Sequence, residues 1–334
     1  MLVRGEAWSN RAVRVRQSKV WIGFFVLSLC LTLFQGQLLA SFFDTSLDSG
    51  RLTIRYFNLV IENKEELQRQ TDRTIKPGDA ILVTTPDGKT ILIDSGLTYL
   101  GDQLLGLLKQ LRVERLDYAF ATHPHWDHIG GFLTLFPNLE IGKMYHVNVP
   151  NDTDTLRQFL QGLEDYGIPN RFVEAGDELQ LGDHVQITVL NPPAGTSPET
   201  LKAAENISTA RINNLSLVMR LDYGKTSALF TGDIYRAQER YLAAEYPEEM
   251  EAHVLHAPHH GEETGSSFEL IEAVMPEVTV ISRDDLSSIA IYNRYRAYDS
   301  EVYVTGMNGH ILIALDGESV NVIVEEDIDS PFLH

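Results

Sequence analysis

The stretch Thr122-His123-Pro124-His125-Trp126-Asp127-His128-Ile129-Gly130-Gly131 follows directly on the apolar, aromatic run Tyr118-Ala119-Phe120-Ala121. A strand that ends this way delivers three imidazoles and a carboxylate at a strand-to-helix junction, so one tight loop can serve two metal ions. Imidazoles separated by one residue, His123 and His125, can converge on one ion, while Asp127 and His128 point to a second. Gly130-Gly131 lets the following helix start close by. Divalent ions need such preformed nitrogen and oxygen donors, and a bridged pair can lower the pKa of a bound water toward neutrality.

Working outward, short apolar runs alternate with helical segments from Leu52 onward. The runs Leu52 to Ile61, Ala80 to Thr85, Thr90 to Gly96 and Asp117 to His123 read as strands, with Pro86-Asp87-Gly88 as a hairpin turn. Leu100, Leu104, Leu107, Leu108 and Leu111 recur at helical spacing and form a core-facing stripe. Later strands begin near Val185, Leu215, Ser227, Ala252, Val278, Glu301, His310 and Val320, interleaved with helices at Thr153 to Tyr166, Tyr235 to Ala244 and Ser267 to Val274. This order predicts two β-sheets packed face to face with helices outside. Glu62 to Lys76 reads as a charged insertion and Pro192 to Asn213 as a loop or short helix; inserts of this length are often functional rims. Two further strand ends carry candidate ligands, Asp233 in Thr231-Gly232-Asp233 and the pair His259-His260. Together with the first cluster they complete a dinuclear set.

Composition narrows the chemistry. The 334 residues are 43% hydrophobic, normal for a globular chain. One cysteine, Cys30, excludes an intramolecular disulfide and any cysteine-rich zinc module, so His and carboxylates must supply the ligands. The formal charge is −20. Because Arg4, Arg11, Arg14, Arg16 and Lys19 gather before Val20, the rest is more acidic still and disfavours binding of a long nucleic acid. Residues 1–19 read as a basic cytoplasmic flank and residues 20–43, free of charge, as a single-pass transmembrane helix that leaves the catalytic body, 44–334, outside the cytoplasm. The alternative is a signal segment cleaved near Ala40, giving a secreted body.

With Ile91-Leu92-Ile93-Asp94-Ser95-Gly96 before it and Thr231-Gly232-Asp233 and His259-His260-Gly261 after it, the His-rich loop resembles the metallo-β-lactamase fold superfamily. Within that superfamily the chain is similar to the hydrolase domain of ComEC-type competence proteins. The likeness runs through Gly78 to Gly96, Asn213 to Asp233 and His253 to Gly261, and extends over Val302 to Gly317. It implies an αββα four-layer sandwich and a hydrolase that uses a metal-bridging hydroxide. It further implies that His123 and His125 hold metal one, that Asp127, His128 and His260 hold metal two, that Asp233 bridges, and that Asp94 orients the ligand loop from behind. Asp127 would also steer the attacking water. Both ions would be zinc, with manganese or iron(II) also suited to the carboxylate-rich second site.

Departures from the pattern fall near the substrate entrance. Asn213-Asn214-Leu215-Ser216 stands where many superfamily members place another histidine, so metal one lacks that ligand. Asn58-Leu59-Val60 leads into the charged insertion before Gly78-Asp79, where ComEC-like chains run from Asp-Val directly into Gly-Gln-Gly-Asp. Glu262 replaces a serine after the paired histidines, and Tyr292 to Tyr298 replaces a Gly-His-Pro element. His146 and His184 are expected at the surface, Tyr292, Tyr295 and Tyr298 on an amphipathic surface loop, and His253 and His256 on alternating faces of a strand. The resulting expectation is a phosphodiesterase or phosphoesterase acting on a small phosphoester. Two rivals are a carboxylic ester, thioester, lactone or lactam hydrolase with the same site, and a membrane-tethered protein that holds the metal without catalysis.

Overall fold

The computed structural model describes residues 41–71, 75–202 and 207–328. Strands β1 (Leu52–Tyr56), β2 (Ile81–Thr84) and β3 (Thr90–Ile93) form an antiparallel meander. Its second hairpin is closed by Pro86-Asp87-Gly88, where Gly88 takes a φ of 81° and the Thr85 hydroxyl donates to Asp87. The short β4 (Arg115–Leu116) leads into β5 (Tyr118–Ala121), which lies parallel to β3, and β6 (Glu140–Ile141) pairs with β4 in a small ribbon. β7 (Met144–His146) and β8 (Asn170–Phe172) extend the first sheet in parallel.

The second sheet begins with β9 (Glu178–Leu181), β10 (Val185–Asn191), β11 (Val218–Tyr223) and β12 (Thr226–Phe230), all antiparallel, then turns parallel through β13 (Val254–His256), β14 (Val278–Ile281) and β15 (Glu301–Val304). β16 (Ile311–Leu315) and β17 (Val320–Val324) return to the first sheet beside β1, giving the order β17-β16-β1-β2-β3-β5-β7-β8.

Strand alternation sorts the buried side chains into three clusters. Leu82, Leu92 and Ala119 face the helices Gly101–Gln110 and Asp154–Asp165, where Leu104, Leu108 and Phe159 meet them. Their neighbours Ile81, Val83, Ile91, Ile93 and Phe120 point the other way, onto Met219, Leu221, Val254 and Val280 of the second sheet. On that sheet's far face, Val218, Leu229, Leu255 and Ile281 pack against the helices Arg236–Glu245, Phe268–Val274 and Ile289–Arg296. Strands buried on both faces explain why the sequence shows continuous apolar runs rather than alternation. The molecule is thus a mixed α/β fold with two large sheets and helices on their outer faces.

Several sequence expectations are corrected. β1 stops at Tyr56, short of Ile61. The charged insertion holds the helix Lys64–Thr71, while the segment before β11, expected as a loop or short helix, does hold the short helix Thr209–Asn214. β4, β6, β7, β8 and β9 went unread, being two to four residues long; β8 is exposed throughout and so lacks the apolar signature of a strand. Tyr292 and Tyr295 lie not in a surface loop but on the inner side of the helix Ile289–Arg296, with the Tyr295 hydroxyl donating to Ser266 Oγ at 2.8 Å. The anchor expected at residues 20–43 lies outside the described residues except for Ser41 to Phe43. Among the described residues no helix is long and apolar enough to cross a membrane. Phe42 is buried, stacked on His310 at 4.6 Å and edge-on to Phe57 at 5.9 Å, so the chain has joined the folded body by that point.

Candidate metal centre

Parallel pairing aligns the C-terminal ends of β3 and β5 in one sheet and of β12, β13 and β14 in the other, and the candidate ligands lie just beyond these ends. The sheets are stitched there by Leu217 N donating to Thr122 O at 2.8 Å. β5 runs straight into the ligand loop because Thr122 is held from below: its N–H and its hydroxyl both donate to the carboxylate of Asp94, at 2.8 and 2.6 Å. The loop then closes into the single turn Trp126–Ile129. Gly131 lets it sit against the β3 end, since a Cβ there would lie 2.0 Å from Ser95 O.

Two groups of donors meet at Asp233. In the first, His123 Nε2 lies 2.9 Å from His125 Nδ1 and 3.7 Å from Asp233 Oδ2. Since the Thr122 hydroxyl spends its proton on Asp94, it accepts from His123 Nδ1 (3.1 Å), which leaves His123 Nε2 as a lone pair facing the centre. In the second, His128 Nε2 is 3.4 Å from Asp233 Oδ2 and His260 Nε2 is 3.5 Å from Asp233 Oδ1, with Asp127 Oδ2 3.9 Å from His260 Nε2. The outer nitrogens are spoken for: His260 Nδ1 donates to Ser282 O at 3.0 Å and His128 Nδ1 donates to Asp94 Oδ2 at 2.7 Å. That arrangement fixes the tautomer and aims both Nε2 atoms inward. His128 Nε2, His260 Nε2 and Asp233 Oδ1 are all buried without a hydrogen-bond partner. Orphaned buried donors and acceptors call for an explanation, and a cation among them supplies one. The donor chemistry, nitrogen and carboxylate oxygen, fits divalent ions.

The electrostatics follow from burial and crowding. Burial opposes charge on Asp233, yet His260, His128 and His259 together hold its carboxyl well below the usual range. Burial, then the neighbouring His128 and His125, pushes His123 well down, so it stays neutral. Burial lowers His125 as well. Burial is the largest single influence on His128 and His260 too, but they are raised, because Asp233 with Asp94 and Asp127 around His128, and Asp233 with Asp79 around His260, together outweigh it. Burial raises Asp94 despite its contact with His128.

His259 and His260 occupy consecutive left-handed positions, φ 51° and 54°, and their rings diverge. His260 turns to Asp127 and Asp79, whereas His259 hydrogen-bonds through Nδ1 to Thr264 Oγ1 and places Nε2 3.3 Å from Lys76 Nζ and 3.7 Å from Asp233 Oδ2. Asn213 is buried at the cleft wall, its amide donating to Tyr235 Oη at 3.2 Å while its own carbonyl oxygen has no partner. The described site residues supply no histidine in its place.

Two residues of the segment before β2 were not singled out. Asp79 is buried behind the rings, with Oδ1 3.3 Å from both His260 Nδ1 and His256 Nε2, and it forms a possible ligand group with His128, Asp233 and His260. Burial resists its ionisation, but His256 and His260 hold it well below the carboxylate range. Lys76 lies on the cleft side. The signal available in the sequence was the Gly78-Asp79 pair itself: Gly78, at φ 79°, presses so closely on the ligand loop that a Cβ would lie 1.6 Å from Asp127 O.

His146, His184, His253 and His256 stand outside the two donor groups. His146 is buried, not at the surface as expected, and sits edge-on to Phe172 at 4.7 Å and Phe159 at 5.8 Å. His184 is exposed in a turn. His253 faces Ser227 Oγ at 3.1 Å, and His256 points to Asp79, so the two do not converge. Nor does Glu262 present an isolated charge at the entrance, because Arg283 donates to it at 3.0 Å and Lys76 lies 3.4 Å away.

Residues 73–197 match the sequence profile of the family described as the metallo-beta-lactamase superfamily. The chain is 29% identical over 229 residues to ComE operon protein 3 of Bacillus subtilis, covering 62% of this chain and 27% of that protein. It is 28% identical over 240 residues to Recombination protein 2 of Haemophilus influenzae, covering 68% and 26%. It therefore spans only about a quarter of these relatives' lengths. Among solved structures, the metallo-beta-lactamase fold protein YhfI of Bacillus subtilis overlays with a TM-score of 0.45 at 15% identity, covering 76% of this chain and 96% of that one. On its sequence matches, the chain is similar over residues 73–197 to the metallo-beta-lactamase superfamily and, over one part of their length, to ComE operon protein 3 and Recombination protein 2.

Proposed function

We propose that the protein is a metal-dependent hydrolase of phosphoesters, with two divalent ions held by His123 and His125 on one side, Asp127, His128 and His260 on the other, and Asp233 between them. The observation that carries this reading is the convergence of buried, unpartnered His128 Nε2, His260 Nε2 and Asp233 Oδ1, with Asp233, His125 and Asp127 lining an open cleft of about 710 Å³. A purely structural ion would be closed off by protein ligands, and a cleft over the donors instead leaves room for a substrate. Bound there, the ions supply Lewis acidity toward a phosphoryl oxygen and acidify water. The chain's own part is to hold the donors in one tautomer through Asp94 and Ser282, and to keep His123 and His125 neutral. Zinc suits this mixed set, and manganese or iron suits the more carboxylate-rich half.

Metal analysis of the purified protein, followed by a panel of phosphodiester, phosphomonoester, thioester and lactam substrates, tests the proposal. Two ions per chain with turnover of a small phosphoester is the expected result. Turnover of only the carbonyl substrates would shift the reaction to acyl chemistry, and metal without any turnover would leave a binding protein. The acidic composition leads us to expect a small phosphodiester to outrun long duplex DNA at physiological salt, where surface repulsion is screened beyond about 8 Å. We also propose that residues 20–43 anchor the body outside the cytoplasm; protection of the body from protease added to intact cells would overturn that arrangement.

A further inference from the structure

Among the described residues lining the cleft, Lys76 is the only lysine or arginine. Its side chain is 12% exposed, and Nζ lies 3.3 Å from His259 Nε2 and 3.4 Å from Glu262 Oε1. Its carboxylate neighbour Glu262 is shared with a second cation, Arg283. His259 is already hydrogen-bonded through Nδ1 to Thr264 Oγ1. Glu262 already receives a shorter contact from Arg283, 3.0 Å to the same oxygen. The position of Lys76 is also built rather than incidental. Pro77 O accepts from Leu97 N at 3.1 Å, Asp79 O accepts from Gly96 N at 2.7 Å, and Gly78 packs on the backbone of Asp127. The lysine's Cα is thereby fixed relative to a ligand residue of the centre.

A lysine set beside two divalent ions would be repelled by them at short range, unless an anion lies between. We infer that Lys76 is the phosphoryl-binding residue of the cleft, its ammonium donating to a nonbridging oxygen of the substrate while His259 and Glu262 keep it aimed. The inference rests on the phosphoesterase reading and names the group that recognises the anion. It also answers how a strongly acidic chain admits an anionic substrate: the local field at the cleft is set by Lys76 and the ions, not by the distant surface carboxylates.

The test is the affinity of the metal-loaded protein for inorganic phosphate, measured by titration calorimetry alongside bound-metal content. Lys76→Gln should weaken phosphate binding about 10-fold or more, as expected for loss of a charged hydrogen bond, with metal content unchanged. Lys76→Arg should recover most of the affinity. If the lysine served only to neutralise Glu262, the double variant Lys76→Gln, Glu262→Gln would bind phosphate as the wild type does; we expect it to stay weak. Wild-type affinity in Lys76→Gln, or restoration in the double variant, overturns the inference while leaving the hydrolase reading intact. Loss of metal in Lys76→Gln also overturns it, by making the lysine a support of the centre. Failure of the wild-type, metal-loaded protein to bind phosphate or turn over any phosphoester would instead defeat the underlying reading and the inference together.

Discussion

At the end of β5 four candidate donors, His123, His125, Asp127 and His128, stand in one loop, whereas at the ends of β12 and β13 the donors Asp233 and His260 come from separate strands set side by side by parallel pairing. The loop is shaped locally, by its own turn and by the Asp94 carboxylate that ties Thr122 and His128. The second sheet contributes through register, with each residue placed by the strand that precedes it. The first half therefore depends on one buried carboxylate, and the second on the packing of two strands and the left-handed step at His259 and His260.

The sharpest way to break this comparison is Asp233→Ala. Because Asp233 faces His123 and His128 through one oxygen and His260 through the other, its loss should remove metal from both positions and depress hydrolysis by more than about 100-fold, given that even an outer partner of a ligand is worth about 10–100-fold. Full retention of one ion, read by metal analysis, would show the halves to be independent. The next largest effect separates the adjacent histidines. His260→Ala should lower the stoichiometry from two ions to one, while His259→Ala keeps both; the reverse pattern would exchange their roles.

Asp94→Asn probes the first half. It preserves shape but removes the charged acceptor for His128 Nδ1, and metal affinity should fall by about 10–100-fold in competition against a chromophoric chelator. Unchanged affinity would mean that the ligand loop holds itself. The smallest effect belongs to a buried histidine away from the centre. His310 accepts from Asn58 N at 2.9 Å, and burial lowers its pKa to about 4. In the unfolded chain the value is about 6.5, so below that pH the unfolded state binds more protons, and stability is lost as the pH falls from about 6.5 toward about 4. Urea unfolding at about pH 7 and about pH 5.5 should show a loss of about 1 kcal/mol that His310→Asn does not share. An identical pH response in that variant would assign the loss to other groups.

Which features were legible follows the same division. THPHWDH could be read as a metal loop because its donors are neighbours in the chain, and the helical stripe through Leu104 and Leu108 could be read because a helix repeats locally. Asp79 and Lys76 were passed over, since their meaning depends on a segment folding back across Asp127, and nothing in Lys76-Pro77-Gly78-Asp79 states where it lands. His146 was expected at the surface because its neighbours Phe159 and Phe172 come from elsewhere in the chain. Glu262 read as a bare charge for the same reason: Arg283, its partner, lies on the adjoining strand end.

By itself, then, the sequence determined the chemistry on offer: nitrogen and carboxylate donors with no cysteine among them, the strand-to-helix turn that presents them, and apolar runs that had to be buried on both faces. The tertiary structure decided which donors meet. Imidazoles and carboxylates bind a shared ion only when their lone pairs converge within a few ångströms, and that convergence arises from parallel strand register and from the close approach of Gly78 to Asp127. Those are contacts between residues far apart in the chain, so no local periodicity encodes them.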